Sequence, residues 1–154
     1  MSNVASALNK QVANWTVLYA KLHQYHWYVK GPHFFTLHEK FEELYNEAAS
    51  HLDELAERLL AIGGRPVGTL SESLKLASVK EGSGTETAEE MVAAVARDFA
   101  LIRDELKQAI KTAEAEDDEV TGDLLLGIQS GLEKHIWMLN AFLGAASPKA
   151  TVNV

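Results

Sequence analysis

Cysteine is absent from the 154-residue chain. That excludes disulfides, a thiolate nucleophile and a cysteine-based zinc ribbon, and makes the cytoplasm the expected location. No stretch approaches the roughly 18 uninterrupted apolar residues of a membrane span, so no membrane partner is expected. Met1 to Ser6 shows no basic segment followed by an apolar run, so no signal peptide is expected either. Proline is scarce. Pro32, Pro66 and Pro148 each sit where an apolar pattern stops and act as punctuation rather than kinks. Bases are also in short supply, 14 Lys and Arg against 22 Asp and Glu, for a net charge of −8. That balance argues against a general affinity for nucleic acid and leaves cations as the natural partners. The imbalance is uneven. Residues 1–30 contain Lys10, Lys21 and Lys30 and no acid, whereas Glu114 to Asp123 holds six acids and no base.

The length suits one domain over 1–154, with a short tail over about 146–154. Leu8, Val12, Trp15, Tyr19, Leu22 and His26 keep one face of a long helix toward a partner, and the pattern stops at Gly31-Pro32. A second pattern runs from Phe34 through Phe41, Ala48 and Leu55 to Gly63-Gly64-Arg65-Pro66. Residues 65–87 read as a crossover with one short helix around Leu70, Leu74 and Leu76. Thr87-Ala88-Glu89-Glu90 matches a capping box and opens a third long helix through Val92, Phe99 and Leu106. A fourth passes through Leu125, Leu132, His135 and Phe142, and nothing reads as a strand. Short loops suffice for up-and-down hairpins. The long middle connection therefore predicts two antiparallel hairpins joined by a crossover, an all-α, ferritin-like four-helix bundle with a short extra helix between the second and third long helices.

The second helix carries the candidate chemistry. At roughly 100° per residue, His38, Glu42, Asp53 and Glu57 fall at about 0°, 40°, 60° and 100°, on one flank of the apolar stripe. Imidazole and carboxylates at this spacing suit a first-row transition metal such as iron. One chain cannot close such a site, because His38 and Glu57 lie about 28 Å apart along a helix and metal bonds span only about 2 Å. The pairs 38/57 and 42/53 share a midpoint between residues 47 and 48. Two copies packed antiparallel about a twofold axis there would bring His38 to the partner's Glu57 and Glu42 to the partner's Asp53, twice per dimer. His26, at the end of the first helix, would complete each site. The same residues also fit a solvated helix edge, with His38 as a hydrogen-bonded core histidine, and spacing alone does not decide. An intrasubunit di-iron centre is not expected, since no histidine has a glutamate three residues before it. Of the remaining histidines, His51 is expected on the solvent side of the second helix and His135 in the core. His33 follows Pro32, and His23 lies one turn before His26 with its role open.

Tyr25-His26-Trp27-Tyr28-Val29-Lys30-Gly31-Pro32-His33-Phe34-Phe35-Thr36-Leu37-His38-Glu39-Lys40-Phe41, with Asp53 to Pro66 and Glu133 to Leu139, strongly resembles the Dps family of miniferritins, closest to its acidic Gram-positive-type members. The resemblance covers nearly the whole chain. It implies a homo-oligomeric shell of twelve subunits with a ferroxidase centre at each twofold interface, built from His26, His38 and the acid at 42 of one subunit and Asp53 and Glu57 of the next. Family members commonly carry aspartate where this chain has Glu42. The implied substrates are Fe(II) and hydrogen peroxide, and the implied product is a ferric oxide core. Trp27, beside His26, is either an interceptor of stray oxidising equivalents or a packed interface aromatic. The resemblance places Glu114, Glu119 and Asp123 at a threefold pore through which Fe(II) enters, while acids there also suit a helix start, with Asp117 or Asp118 as its cap. The competing function, binding and condensing nucleoid DNA, is not expected. Met1 to Ala7 has no base, Ala146 to Val154 has only Lys149, and few phosphate contacts are available.

Overall fold

The computed structural model describes residues 2–144, so the expected tail over 146–154 lies outside the described residues. Five helices follow in order: α1 (Asn3–Tyr28), α2 (Phe34–Ala61), α3 (Leu70–Leu76), α4 (Ala88–Ala115) and α5 (Glu119–Phe142), with no strand among the described residues. None of them is long and apolar enough to cross a membrane.

Local chemistry explains the boundaries. Ser2 Oγ accepts from the backbone N–H of Ala5 at 3.1 Å and starts α1. Thr87 and Glu90 form the expected capping box at α4. Of the two candidate caps for α5, Asp118 takes the role, accepting from the N–H of Thr121 at 3.0 Å, while Asp117 turns the chain at φ 57°. Gly63, at φ 88°, stands in the left-handed region just past α2, where a side chain would be strained.

α1 packs along α2, α4 packs along α5, and α3 lies against α1, which is the expected pair of hairpins and crossover. The seams meet in a core that fully buries Trp15, Tyr25, Phe41, Phe99 and Met91 among many leucines. Truncating one of the large aromatics there costs about 3–5 kcal/mol. Polar side chains fasten the crossover. The fully buried Asn14 accepts from the N–H of Ser78 at 2.7 Å and donates to Glu105 at 3.2 Å, tying the segment after α3 to α1 and α4. Lys21 lies 2.7 Å from the Asp98 carboxylate and donates to the Lys80 carbonyl at 2.9 Å.

Two expectations change. His51 is only partly exposed: its ring packs on Trp15 of α1 with centroids 4.8 Å apart, its Nδ1 is buried, and burial lowers its pKa. The reason is geometric. Each helix of a four-helix bundle meets two neighbours, so both flanks of its stripe can be covered; on the flank of α2 away from His38, Trp15 of α1 covers His51 and His135 of α5 reaches Glu47. There His135 Nε2 sits 2.6 Å from Glu47 Oε2, in keeping with the core position expected of His135. The second change concerns Glu114, which belongs to the last turn of α4 and not to the start of α5.

Candidate metal centre

α1 and α2 run antiparallel through the tight Val29 to His33 connection, which sets the end of one against the start of the other. The imidazoles of His26 and His38 consequently stack face to face, with centroids 3.7 Å apart and planes 11° apart. His26 Nδ1 lies 2.6 Å from the His38 carbonyl oxygen, and His38 Nδ1 lies 2.7 Å from the His26 carbonyl oxygen. A carbonyl oxygen only accepts, so both Nδ1 atoms carry a proton, and Nε2 is the nitrogen of each ring left to offer a lone pair. Two adjacent imidazoles are thereby fixed in tautomer and orientation, in the way outer hydrogen bonds fix metal-binding histidines. Phe34 stacks on the other face of His38 at 5.0 Å, and His26 is 8% exposed.

Glu42 follows one turn after His38 and is exposed, with Oε1 accepting from the Tyr45 hydroxyl at 3.2 Å. Desolvation and the bond to Glu42 raise the Tyr45 pKa, so the phenol remains a donor. Asp53 and Glu57 are exposed farther along α2 and do not join the histidines within the subunit. Among the described residues of one chain, no three His, Cys, Asp or Glu side chains come together closely enough to hold a metal ion. The two histidines come together within one chain, while Glu42, Asp53 and Glu57 stand apart from one another on the exposed face of α2.

Pattern reading missed the aromatic support around the two histidines. His23 donates from Nδ1 to the Tyr19 carbonyl at 2.9 Å, stacks on Tyr45 at 3.7 Å with 19° between planes, and lies 5.4 Å from Trp27. The Tyr19, His23, Trp27 spacing of four was the available signal, marking one edge of α1. Trp27 itself is 66% exposed.

A ferritin-like domain family matches residues 5–147. General stress protein 20U of Bacillus subtilis (strain 168) is 63% identical over 138 residues, spanning 90% of this chain and 95% of that protein. DNA protection during starvation protein 2 of Bacillus anthracis is 60% identical over 140 residues, 91% of this chain and 96% of that protein. The crystal structure of a Dps protein from Bacillus brevis matches with a TM-score of 0.90 at 61% identity, covering 91% of this chain and 94% of that one. The chain belongs to the Dps family.

In this Dps-family subunit the acids assigned to an entrance stand at one end of the bundle. Glu119 and Asp123 lie one turn apart at the start of α5, Glu114 lies in the last turn of α4, and all three are exposed. Arg58 of α2 reaches the same end, donating to Thr121 Oγ1 at 2.9 Å and to Asp118 at 3.0 Å. Burial alone would raise the Asp118 pKa, but hydrogen bonds from the Thr121 hydroxyl and backbone N–H, and then the Arg58 charge, outweigh it and hold the pKa below its ordinary value. Glu54, Glu57 and Asp123 line one shallow surface depression between α2 and α5.

Proposed function

We propose that the protein is an iron-storing and detoxifying ferroxidase of the Dps type. It oxidises Fe(II) to Fe(III), preferentially with hydrogen peroxide, and stores ferric oxide inside a dodecameric shell in the cytoplasm. The 154 residues form one ferritin-like unit of that shell. The observation that carries this reading is the stacked His26 and His38 pair, whose Nε2 lone pairs are set free together by reciprocal Nδ1–H to carbonyl bonds. Nitrogen ligands locked in this way are half of a transition-metal site. Glu42 of the same subunit, with Asp53 and Glu57 of a twofold-related one, supplies the hard oxygen ligands that favour the ferric product.

Two irons oxidised together deliver two electrons to one peroxide. The one-electron reduction that releases hydroxyl radical is thereby avoided, which protects DNA and the cell without DNA contact. Trp27, exposed beside His26, intercepts oxidising equivalents that escape. Three copies of Glu114, Glu119 and Asp123 concentrate Fe(II) at a threefold entrance through their summed negative potential. The names of the relatives invite the competing function of DNA condensation, but a net charge of −8 disfavours it.

Anaerobic titration of the assembled protein with Fe(II), followed by stoichiometric peroxide, tests the reading. The expected result is rapid ferric absorbance at two Fe(II) consumed per peroxide, faster than with oxygen. An assembly that neither binds Fe(II) nor speeds its oxidation by peroxide would overturn the proposal. A forced monomer is expected to bind iron weakly, and tight binding there would overturn the intersubunit assignment.

A further inference from the structure

Glutamate has one more methylene than aspartate, so Glu42 has one more rotatable bond between its carboxylate and α2 than the shorter acid would have. On an exposed helix face such a side chain samples many orientations. Here one of its oxygens is held. Tyr45, three residues on, donates its hydroxyl to Glu42 Oε1 at 3.2 Å. The phenol is itself clamped, stacked on His23 at 3.7 Å with the His26 ring edge-on at 5.4 Å and 84°. His23 is fixed in turn by its bond to the Tyr19 carbonyl. The carboxylate on α2 is thus tied, through Tyr45, to a row of side chains on α1 that also carries His26.

We infer that Tyr45 is a positioning residue for Glu42: its hydroxyl occupies Oε1, which leaves Oε2 as the oxygen offered to the metal beside the two histidines. This rests on the assignment of Glu42 as a ligand. Tyr45 makes the longer acid equivalent to a shorter, stiffer one, and His23 serves as its platform rather than as a ligand.

Co(II) alone, with no iron or oxidant, probes the site in the assembled protein through its visible ligand-field bands. Four forms are compared: wild type, Tyr45→Phe, Glu42→Asp and the double variant. Tyr45→Phe keeps the ring stack and removes only the hydroxyl. It is expected to weaken Co(II) binding about tenfold, the usual scale for loss of an outer-shell partner, and to alter the band envelope. Glu42→Asp retracts the carboxylate from the phenol, so adding Tyr45→Phe to it is expected to change affinity less than about twofold. Thermal unfolding of each variant reports whether the ring stack and shell survive. Wild-type affinity and spectrum in Tyr45→Phe, or the same loss with and without Glu42→Asp, would overturn the positioning role. Absence of Co(II) binding in the wild type would instead overturn the twofold centre itself, and unchanged binding in a Glu42→Gln variant would overturn Glu42 as a ligand.

Discussion

α2 carries a histidine on each flank, and each is paired across the bundle with very different results. On one flank His38 stacks on His26 of α1, both Nδ1 protons go to main-chain oxygens, and both Nε2 atoms are left free. On the other, His51 packs on Trp15 while His135 of α5 spends its Nε2 on Glu47, so the Nδ1 atoms of both point into the interior. The presence of histidine does not separate the two flanks. What separates them is which nitrogen the protein occupies and whether the remaining one faces an open surface or the packed centre. The first arrangement can take a ligand from a second subunit. The second holds four helices together.

The largest effect that would break this comparison is on iron chemistry. Replacing His26 and His38 together by Ala is expected to lower the peroxide-dependent Fe(II) oxidation rate at least about a hundredfold, with the melting temperature shifted by only a few degrees. Equal activity in stopped-flow absorbance would erase the distinction between the flanks. The converse change, His135→Ala, leaves Glu47 without its partner and opens space beside Phe99, 5.9 Å away. A loss of about 2–4 kcal/mol is expected in denaturant unfolding, with iron oxidation per assembled shell unchanged. A smaller effect is expected from His51→Phe, which keeps an aromatic ring against Trp15 at a cost below about 1.5 kcal/mol; a larger loss in the same unfolding measurement would mean that the His51 nitrogen, and not its ring, matters.

The smallest effect sets the acid background against which either pair is measured. Burial favours protonated Glu86, but hydrogen bonds from Ser83, Tyr25 and the loop backbone outweigh it and lower its pKa from 4.5 to about 2. Its folded-state value being depressed, Glu86 stabilises the fold above pH 4.5, and that contribution disappears as the pH falls toward 2. Glu86→Gln should flatten the melting temperature over that window and leave it unchanged in slope at neutral pH. The same fall in both proteins would assign the acid sensitivity elsewhere.

Much of this was legible because helices impose a fixed period. The stripes, the crossover, the capping box at Thr87 and the grouping of His38, Glu42, Asp53 and Glu57 on one flank all follow from counting residues. The tautomers of His26 and His38 were not legible, since they depend on how closely the connection at Gly31 brings two chain segments together. His51 was misplaced because a wheel shows where a stripe lies but not that the large Trp15 ring of α1 will reach its second flank. Tyr45 was passed over because an aromatic at the edge of a stripe looks like packing until its hydroxyl is seen on Glu42.

The bond from His38 to the His26 carbonyl has a consequence for how α1 ends. That carbonyl is among the last four of α1, which have no intrahelical partner, and the imidazole N–H supplies one. His38 is therefore a helix terminator as well as half of a nitrogen pair. An asparagine or glutamine there could keep the donor and preserve the end of α1 without any metal affinity, so the site could be silenced while the hairpin on which it stands stays intact.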